Sequence, residues 1–465
     1  MALSVDTTAN LGAYLGSMTP HSPTNNLGGL AGVYTTPAIY TAVTGVFTNT
    51  NWVGPYRGAG RPEASLAIEK VIDTAAIEMG FDRVELRRLN LIPPDAIPYQ
   101  TGLIFNYDSG NFPDVLDRAV KLSDYDNFEE RRAESAARGQ LRGIGVAFAI
   151  EQSAAPIEET AEIRFDGSGH CTILMGTLAQ GQGHDVTFKQ LINEMLGVEL
   201  NNITLIQGDT DIVAHGRGTF GSRSAGNGGA ALQIASDRII EHGKKIASHM
   251  LEAADTDITF KDGNFSVIGT DHSVRIEEVA QTAYALIGLP PEIEPTLVAF
   301  AAFKPKAPTF PNGCHFCELE IDPETGSTEV LSYVVVDDVG TVINPLLLKG
   351  QIHGGISQGL GQALCEDLNY DPESGQLLSA SFLDYCMPRA DDMSSIDVIA
   401  AGTASPTNPL GIKGAGEAGC VGALPCIQSA LIDALKPYGV KDVPMPATPH
   451  KLWELIQENS TKSSE

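Results

Sequence analysis

A glycine-rich stretch that carries one carboxylate, residues 411–419, offers the clearest chemistry in this sequence. Its glycines free the backbone for tight turns and for close approach to a ligand. Glu417 lies just before an apolar segment at helical spacing that runs to Leu435. A helix N-terminus favours an ionised carboxylate, the form that a general base requires. Glu417 is therefore either a general base or a residue that only caps the helix, and this stretch alone leaves both open.

Loops of similar character occur at 180–183, 218–224 and 413–416, each at the start of a predicted helix. Free backbone N–H groups at such starts bind anions, phosphate above all. Several loops of this kind in one chain favour one large anionic ligand, although a tight turn remains the alternative for any single loop. The predicted charged contacts are Arg57, Arg223 and Lys413, and the neutral ones are Gln180, Gln182, Thr219, Ser222 and Ser224.

Two of these stretches, 216–221 and 414–419, match the G-x-G-x-x-G pattern of dinucleotide-binding proteins. Neither opens the first turn of a strand–helix–strand unit, and neither is followed by an acidic residue on a second strand. The pattern is therefore weak evidence for a nicotinamide cofactor.

Composition limits the class of protein. The chain has 465 residues, of which 43% are hydrophobic, enough for a large core and for two to three domains. Its net charge of −28 disfavours nucleic acid and anionic membranes as partners. No apolar run of membrane-spanning length and no secretory leader is visible. We expect a cytoplasmic protein without a membrane span.

Cysteine usage gives little reason to expect a metal bound by this chain. Seven cysteines are too few for a disulfide framework in a chain of this length. Cys314 and Cys317 form the only C-x-x-C pair, and they lie in a predicted strand, where such positions face opposite ways. No second pair completes a zinc site, and no iron–sulfur spacing is present.

The elements that must position these loops mix helices and strands without regular alternation, which predicts an α+β fold. A helix is predicted from Pro62 to Gly80, and Asp82 with Glu85 predicts a capping box at the next one. A polar helix at 117–137, whose charged residues are expected to be solvated, predicts a boundary. Hairpins are predicted around turns at 166–169 and 262–263, and a long helix at 228–251.

Four motifs, taken in order, resemble a known family. They are YRGAGRPE at 56–63, GQGH at 181–184, TFGSRS at 219–224 and GAGE at 414–417. Together they resemble the molybdenum-binding large subunit of the xanthine dehydrogenase, aldehyde oxidase and aerobic carbon monoxide dehydrogenase family. The resemblance covers nearly the whole chain and implies two molybdopterin-binding domains, the first incomplete at its N-terminus, at 1–135 and 136–465.

The resemblance also implies roles for individual residues. Glu417 matches the catalytic base, Arg57 and Gly221 lie near molybdenum without ligating it, and Gly58 and Ala59 border the substrate. The positions matching contacts to the molybdenum–molybdopterin cofactor, usually the cytosine dinucleotide in bacteria, are Gln180, Gly181, Gln182, Gly183, His184, Thr219, Gly221, Ser222, Arg223, Ser224, Lys413, Gly414 and Gly416.

The implied activity is hydroxylation of an electron-poor carbon, in an N-heterocycle or an aldehyde, with oxygen derived from water. Electrons would leave through 2Fe-2S clusters and FAD, which the resemblance places on an iron–sulfur subunit and a flavin subunit. The rival interpretation is a non-catalytic or truncated assembly fragment of such a subunit. A carbon monoxide dehydrogenase-like enzyme and an NAD-dependent dehydrogenase are less favoured.

The sequence departs from the family pattern at two places. Carbon monoxide enzymes of the family carry a copper-binding Cys after the Arg of the active loop, whereas this chain has Gly58, which argues against the copper route. Residues 10–14 resemble the middle of the first molybdenum-binding domain. We therefore expect another polypeptide to carry the N-terminal half, or else a truncation.

Overall fold

The structure is a computed structural model that describes residues 2–285, 288–393 and 395–462. It combines helices and strands throughout, which confirms the predicted α+β class. The strands are β1 (Ala2–Gly12), β2 (Ala38–Phe47), β3 (Tyr99–Gln100), β4 (Asn106–Tyr107), β5 (Leu141–Ile150), β6 (Glu159–Phe165), β7 (Cys171–Met175), β8 (Ile203–Ile206), β9 (Ile258–Lys261), β10 (Asn264–Val267), β11 (Ser273–Arg275), β12 (Val298–Phe303), β13 (Asn312–Ile321), β14 (Thr328–Asp338) and β15 (Ile396–Ala401). The helices are α1 (His21–Gly29), α2 (Arg61–Met79), α3 (Arg83–Asn90), α4 (Phe112–Leu122), α5 (Phe128–Ala137), α6 (His184–Leu196), α7 (Gly229–Met250), α8 (Ile276–Ala283), α9 (Pro345–Leu364), α10 (Ala418–Ala434) and α11 (Pro449–Lys462).

Two four-stranded sheets organise the chain. One has the order β12-β6-β7-β8 and the other β15-β14-β13-β5. Antiparallel pairing dominates both, but β8 and β15 each join their sheet in parallel at an edge. The predicted hairpins are confirmed, since β6 pairs with β7 and β9 pairs with β10 in antiparallel register. The strands β1 and β2, near the start of the chain, form a separate parallel pair.

Close packing by glycine fixes the central helix α10. A Cβ at Gly143 or Gly145 of β5 would lie only 2.1 or 2.0 Å from a carbonyl oxygen of α10. On the other side, a Cβ at Gly359 of α9 would lie 2.5 Å from the Cβ of Ala423. Because neither neighbour can carry a larger side chain here, the position of the α10 N-terminus, and with it Glu417, is tightly determined.

Among the described residues, the core consists of three hydrophobic clusters. One lies around β6, β7 and α7, and the second around α9 and α10. The third combines Val115 and Phe128 with Val146, Phe316 and other side chains from both sides of residue 135. The two predicted parts therefore pack against each other through a shared core, and their division at 135 and 136 stays a prediction.

The polar helix predicted at 117–137 is wrong in two respects. The chain forms two helices, α4 and α5, because Asp124 between them adopts a left-handed φ of 50°. Its arginines are also not simply solvated. Arg131 pairs with Glu318 of β13 at 2.5 Å, and Arg132 pairs with Asp433 of α10. This segment therefore joins the two parts of the chain electrostatically.

Helix starts follow the predicted signals. Pro62 lies in the first turn of α2, and the Asp82 carboxylate accepts the N–H groups of Val84 and Glu85 at α3. The second half of the predicted capping box differs, since the Glu85 carboxylate pairs with Arg88 at 3.1 Å. In the part of the chain that the structure describes, no helix is both long and apolar enough to cross a membrane.

Candidate active site

The glycine-rich loops predicted to share a ligand surround one cavity of about 960 Å³. Its wall includes parts of the segments 55–61, 180–188, 219–225 and 412–417, together with the N-terminal half of α9. All of the predicted site residues line it except Gly58 and Gly183, which lie within the same loops. The structure therefore brings together residues that are more than 350 positions apart in the sequence, as in the contact of Gly58 with Glu417.

Glu417 lies half-buried in this wall, at the residue before α10. Oε1 accepts the backbone N–H of Gly58 at 3.1 Å, and Oε2 accepts the hydroxyl of Ser222 at 2.6 Å. Within the described part of the chain, the carboxylate makes no capping hydrogen bond to α10. The side chain is therefore held by two other loops, and the alternative that it only caps the helix is wrong.

The backbone is strained in the two loops that contact Glu417. Ala59 has a φ of 46° and Ser222 a φ of 48°, in the left-handed region that L residues avoid. Gly58 and Gly60 flank Ala59 at 96° and 97°. Each strained non-glycine residue costs about 1–3 kcal/mol, and such residues cluster at functional sites.

Gly414 makes the approach of Ser222 possible. A Cβ at this position would lie 1.8 Å from the carbonyl oxygen of Ser222. The N–H of Gly414 donates to the hydroxyl of Ser153 at 3.0 Å, and the N–H of Lys413 donates to the Val339 carbonyl at 2.9 Å. The expectation that both N–H groups are free for a ligand is therefore wrong.

The Lys413 ammonium is likewise already engaged. It is fully buried and pairs with Asp338 at 2.8 Å, so it neutralises that carboxylate instead of supplying free charge to the cavity. Lys413 thus anchors its loop to the end of β14. Whether the residue also touches a cofactor, as the sequence predicts, stays a prediction.

Arg57 joins three segments that border the cavity. Its Nε donates to the Gly416 carbonyl at 2.5 Å, while its two terminal nitrogens donate to Gln358 Oε1 at 3.1 Å and the Gln351 carbonyl at 3.0 Å. The guanidinium therefore ties the loop before α2 to α9 and to the residue beside Glu417. Its predicted place near a metal remains a prediction.

The loops at 180–184 and 219–224 form one continuous wall. Thr219 Oγ1 donates to the Leu178 carbonyl at 2.6 Å and contacts Ser224 Oγ at 2.9 Å. Gln180 adds a 3.3 Å bond to the Thr219 carbonyl. Hydrogen bonds between the loops thus fix the side chains that the sequence assigns to a ligand.

His184 supports this wall from behind. Its Nδ1 contacts Gln207 Oε1 at 3.2 Å, and its Nε2 contacts Gln182 Nε2 at 2.9 Å. Burial lowers the pKa of His184, although the bond to Gln207 opposes that shift. A neutral ring that donates from Nδ1 and accepts at Nε2 satisfies both neighbours, so His184 orients Gln182.

Arg223 lies in the cavity wall as one half of a buried ion pair. It is fully buried, pairs with Glu159 at 2.7 Å and stacks over the Phe220 ring at 4.5 Å. Its Nε and Nη1 have no partner among the described residues. Both nitrogens are closed off from solvent, so the side chain lines the cavity as part of an ion pair, beside left-handed glycines at 181 and 221 whose backbone is open to close approach by a ligand.

Several residues of the site gave no signal in the sequence. Gln351 and Gln358 anchor Arg57 from the middle of an apolar helix, and Ser153 holds the loop of Gly414. Glu151 follows β5 directly and is buried next to Glu417. The charged residue at the end of an otherwise apolar strand was the one available sign of it.

Comparisons with known proteins agree with this geometry. The family model described as molybdopterin cofactor-binding domain matches residues 118–394, and a second model with that description matches residues 1–91. The chain belongs to the molybdenum hydroxylase family. The match confirms the resemblance noted in the sequence and the two molybdopterin-binding domains that it implied.

Individual members of the molybdenum hydroxylase family are similar over almost all of this chain. The carbon monoxide dehydrogenase large chain of Afipia carboxidovorans is 35% identical, covering 92% of this chain and 55% of the relative. The 6-hydroxypseudooxynicotine dehydrogenase complex subunit gamma of Paenarthrobacter nicotinovorans is 33% identical, with 96% and 57% covered. The crystal structure of quinoline 2-oxidoreductase from Pseudomonas putida 86 matches with a TM-score of 0.91 at 32% identity, covering 98% of this chain and 60% of that one. The chain thus spans a little over half the length of these relatives.

Proposed function

We propose that this chain is the molybdenum-cofactor-binding catalytic subunit of an oxidoreductase that hydroxylates an electron-poor carbon with oxygen derived from water. The observation that carries the proposal is the Glu417 carboxylate, held in the cavity wall by Gly58 and Ser222 and free of any capping bond to α10 in the described chain. A carboxylate offers about four acceptor positions, and these two donors use two of them. The others are left to accept a proton.

The cofactor in this proposal is a molybdenum–molybdopterin, in the cytosine dinucleotide form. Arg223 lies in the wall that would face its phosphates, and the wall from Gln180 to His184 supplies neutral donors. When bound, the metal centre supplies the two-electron oxidation of the substrate carbon. The role of this chain is to hold the cofactor and to take up a proton at Glu417.

An N-heterocycle or an aldehyde is the proposed substrate class. Similar proteins include the nicotine 6-hydroxylase large subunit of Paenarthrobacter nicotinovorans, 34% identical, and quinoline 2-oxidoreductase, both of which are named for N-heterocycles. Carbon monoxide is disfavoured because Gly58 has no thiol. Its φ of 96° and a Cβ position only 2.6 Å from the Pro62 ring leave no unstrained place for a cysteine.

The electron acceptors are proposed to lie on partner subunits that carry 2Fe-2S clusters and FAD. This part of the proposal rests on the family and on a relative that is itself named as one subunit of a complex. Co-purification of the three polypeptides with iron, flavin and molybdenum in fixed ratio would support it.

The test of the function is Glu417→Gln in the assembled complex, measured as reduction of the molybdenum centre by N-heterocycle or aldehyde substrates at matched molybdenum occupancy. Glutamine keeps the shape of the side chain but cannot accept a proton at neutral pH. General-base catalysis usually contributes about 10²–10⁴-fold, so we expect reduction of the molybdenum centre to slow by about 10²-fold or more. The exposed Glu454 on α11 gives the control, since Glu454→Gln should reduce like the parent.

Two outcomes would contradict the proposal. Near-parental reduction in Glu417→Gln would remove the assignment of the base. A complex that contains no molybdenum under any co-expression would favour the non-catalytic assembly fragment instead. Binding of NAD(P) to the isolated chain would be required by the nicotinamide alternative and is not expected.

A further inference from the structure

A second carboxyl group lies directly behind the proposed base. Glu151 is only 1% exposed, and both of its carboxyl oxygens are closed off from solvent without a donor from any residue that the structure describes. Among the charged groups around it, the Glu417 carboxylate acts most strongly on Glu151, and the two carboxyl groups also interact as a side-chain hydrogen-bonding pair. Glu151 is not part of the cavity wall, so it can act on a ligand only through Glu417.

The backbone holds Glu151 in this place. Its N–H donates to the Pro311 carbonyl at 2.9 Å. Two residues on, Ser153 and Thr309 exchange both backbone hydrogen bonds at 2.9 Å, and their hydroxyls meet at 2.7 Å. The backbone of the segment is therefore fixed between the strand start at 312 and the loop of Gly414, and burial confines the Glu151 side chain to this place.

Two carboxyl groups in contact inside a protein cannot both be ionised, so one of them keeps a proton. Glu417 receives hydrogen bonds from Gly58 and Ser222, and both favour its charged form. Glu151 receives none from the described residues. The proton therefore belongs on Glu151, where it also supplies the missing donor between two acceptors.

The surrounding charges agree with this placement. Burial raises the pKa of Glu151 well above its usual range, and the charge of Glu417 raises it further, while Arg61 and Arg57 oppose the shift. The Cys420 thiol of α10 also faces both carboxyl groups, and His21 of α1 faces Glu417 and Arg61. The guanidinium groups of both arginines already make other hydrogen bonds, since Arg61 donates to Gln152 Oε1 at 2.9 Å and Arg57 donates to the Gly416 carbonyl.

We propose that Glu151 remains protonated at neutral pH and donates its carboxyl O–H to Glu417, as a positioning residue that fixes the orientation of the base and keeps the base ionised. The effect on turnover rests on the proposed function. The protonation of Glu151 does not, because it concerns two side chains of this chain alone.

The first experiment reads protonation without any cofactor. The infrared spectrum of the full chain at neutral pH is compared between the parent and Glu151→Gln, and we expect the parent alone to show the C=O band of this protonated carboxyl. An acid whose pKa is raised by folding binds more protons in the folded chain, so its contribution to stability falls as pH rises above about 4.3, the unfolded value. Glu151→Gln should lack that fall. The proposal would be overturned if Glu151→Gln lost no C=O band relative to the parent and if the stability of both proteins had the same dependence on pH.

The second experiment uses the pH profile of molybdenum reduction in the assembled complex. Glu151→Gln keeps a neutral donor, so turnover should stay within a few-fold of the parent with the acidic limb in place. Glu151→Leu removes the donor, and the acidic limb should move to higher pH by about one unit or more, since a hydrogen bond to a charged group is lost.

Other results have distinct meanings. If Glu151→Gln is as damaging as Glu151→Leu, Glu151 exchanges protons instead of holding one, and the proposal is wrong. If Glu151→Leu loses cofactor or stability but its acidic limb stays in place, the role is structural and the proposal is again wrong. If no variant and no parent complex turns over, the proposed function fails, while the infrared comparison still decides whether Glu151 is protonated.

Discussion

The Ser222 hydroxyl donates a 2.6 Å hydrogen bond to Oε2 of Glu417, although the two residues are 195 positions apart in the chain. Ser222 makes this bond from a left-handed backbone with a φ of 48°. The strain is therefore tied to the orientation of one carboxylate oxygen. A base whose position depends on such a residue should respond to small changes in the loop that carries it.

Removal of this donor gives the first prediction. Ser222→Ala keeps the backbone and Cβ but leaves Glu417 with one hydrogen bond fewer. Hydrogen bonds to charged groups contribute about 1.5–3 kcal/mol, so reduction of the molybdenum centre by substrate should slow about 10- to 100-fold. Rates are compared at matched molybdenum occupancy, because Ser222 also belongs to the residues predicted to contact the cofactor. Ser168→Ala, in an exposed turn, is the matched control, and an equal effect of both changes would refute the role of Ser222.

The parts of the site that could be predicted are those with a local signal. The glycine-rich loops and Glu417 were found because glycine spacing and a following apolar helix are visible within a few residues. The loops converge on one cavity, while the roles assigned to their residues stay predictions. The capping alternative at Glu417 could not be decided locally, since it depends on donors from Gly58 and Ser222, far away in the chain.

Long-range pairing explains what was missed. A lysine in a glycine-rich loop looks available to a ligand, but Asp338 takes up the charge of Lys413. The sequence of a polar helix does not reveal whether its arginines are solvated or paired with a distant carboxylate, such as Glu318 on β13. The break between α4 and α5 depends on one Asp in a left-handed conformation, which no spacing of apolar residues reveals.

Glycine substitutions provide the second prediction. Gly414→Ala would place a Cβ 1.8 Å from the Ser222 carbonyl, so either the loop of Ser222 or that of Glu417 must move. Overpacking of this kind costs about 1–3 kcal/mol, and turnover should fall because the 2.6 Å bond to Glu417 is lost. Gly350→Ala is the control, since Gly350 is an exposed residue of α9 and its Cβ would meet nothing within 4 Å. That change should stabilise the protein by about 0.4–1 kcal/mol.

Thermal or denaturant unfolding of the full chain measures both substitutions. A Gly414→Ala protein with parental stability and parental turnover would show that the two loops are free to separate. A destabilised Gly350→Ala protein would show that α9 is packed more tightly at this turn than the structure indicates.

The third prediction separates the stability of the Arg223–Glu159 pair from its use in cofactor binding. The two side chains are 1% and 0% exposed and lie 2.7 Å apart. Arg223→Met leaves a buried carboxylate without its partner, which costs about 3–5 kcal/mol of folding free energy. Adding Glu159→Gln removes that charge and keeps an acceptor for the Thr160 N–H, so the double variant should regain most of the lost stability.

Cofactor content should not follow stability in this pair of variants. Both lack the Arg223 guanidinium, which lines the cavity next to the loop proposed to hold the phosphates, so both should retain much less molybdenum and pterin than the parent. Unfolding measurements and metal analysis on the same preparations give the two readouts. A double variant that regains both stability and molybdenum would show that Arg223 serves only to neutralise Glu159. A double variant that regains neither stability nor molybdenum would show that the unpaired charge of Glu159 is not the source of the instability. The lost packing of Arg223 over the Phe220 ring would then be the main cause.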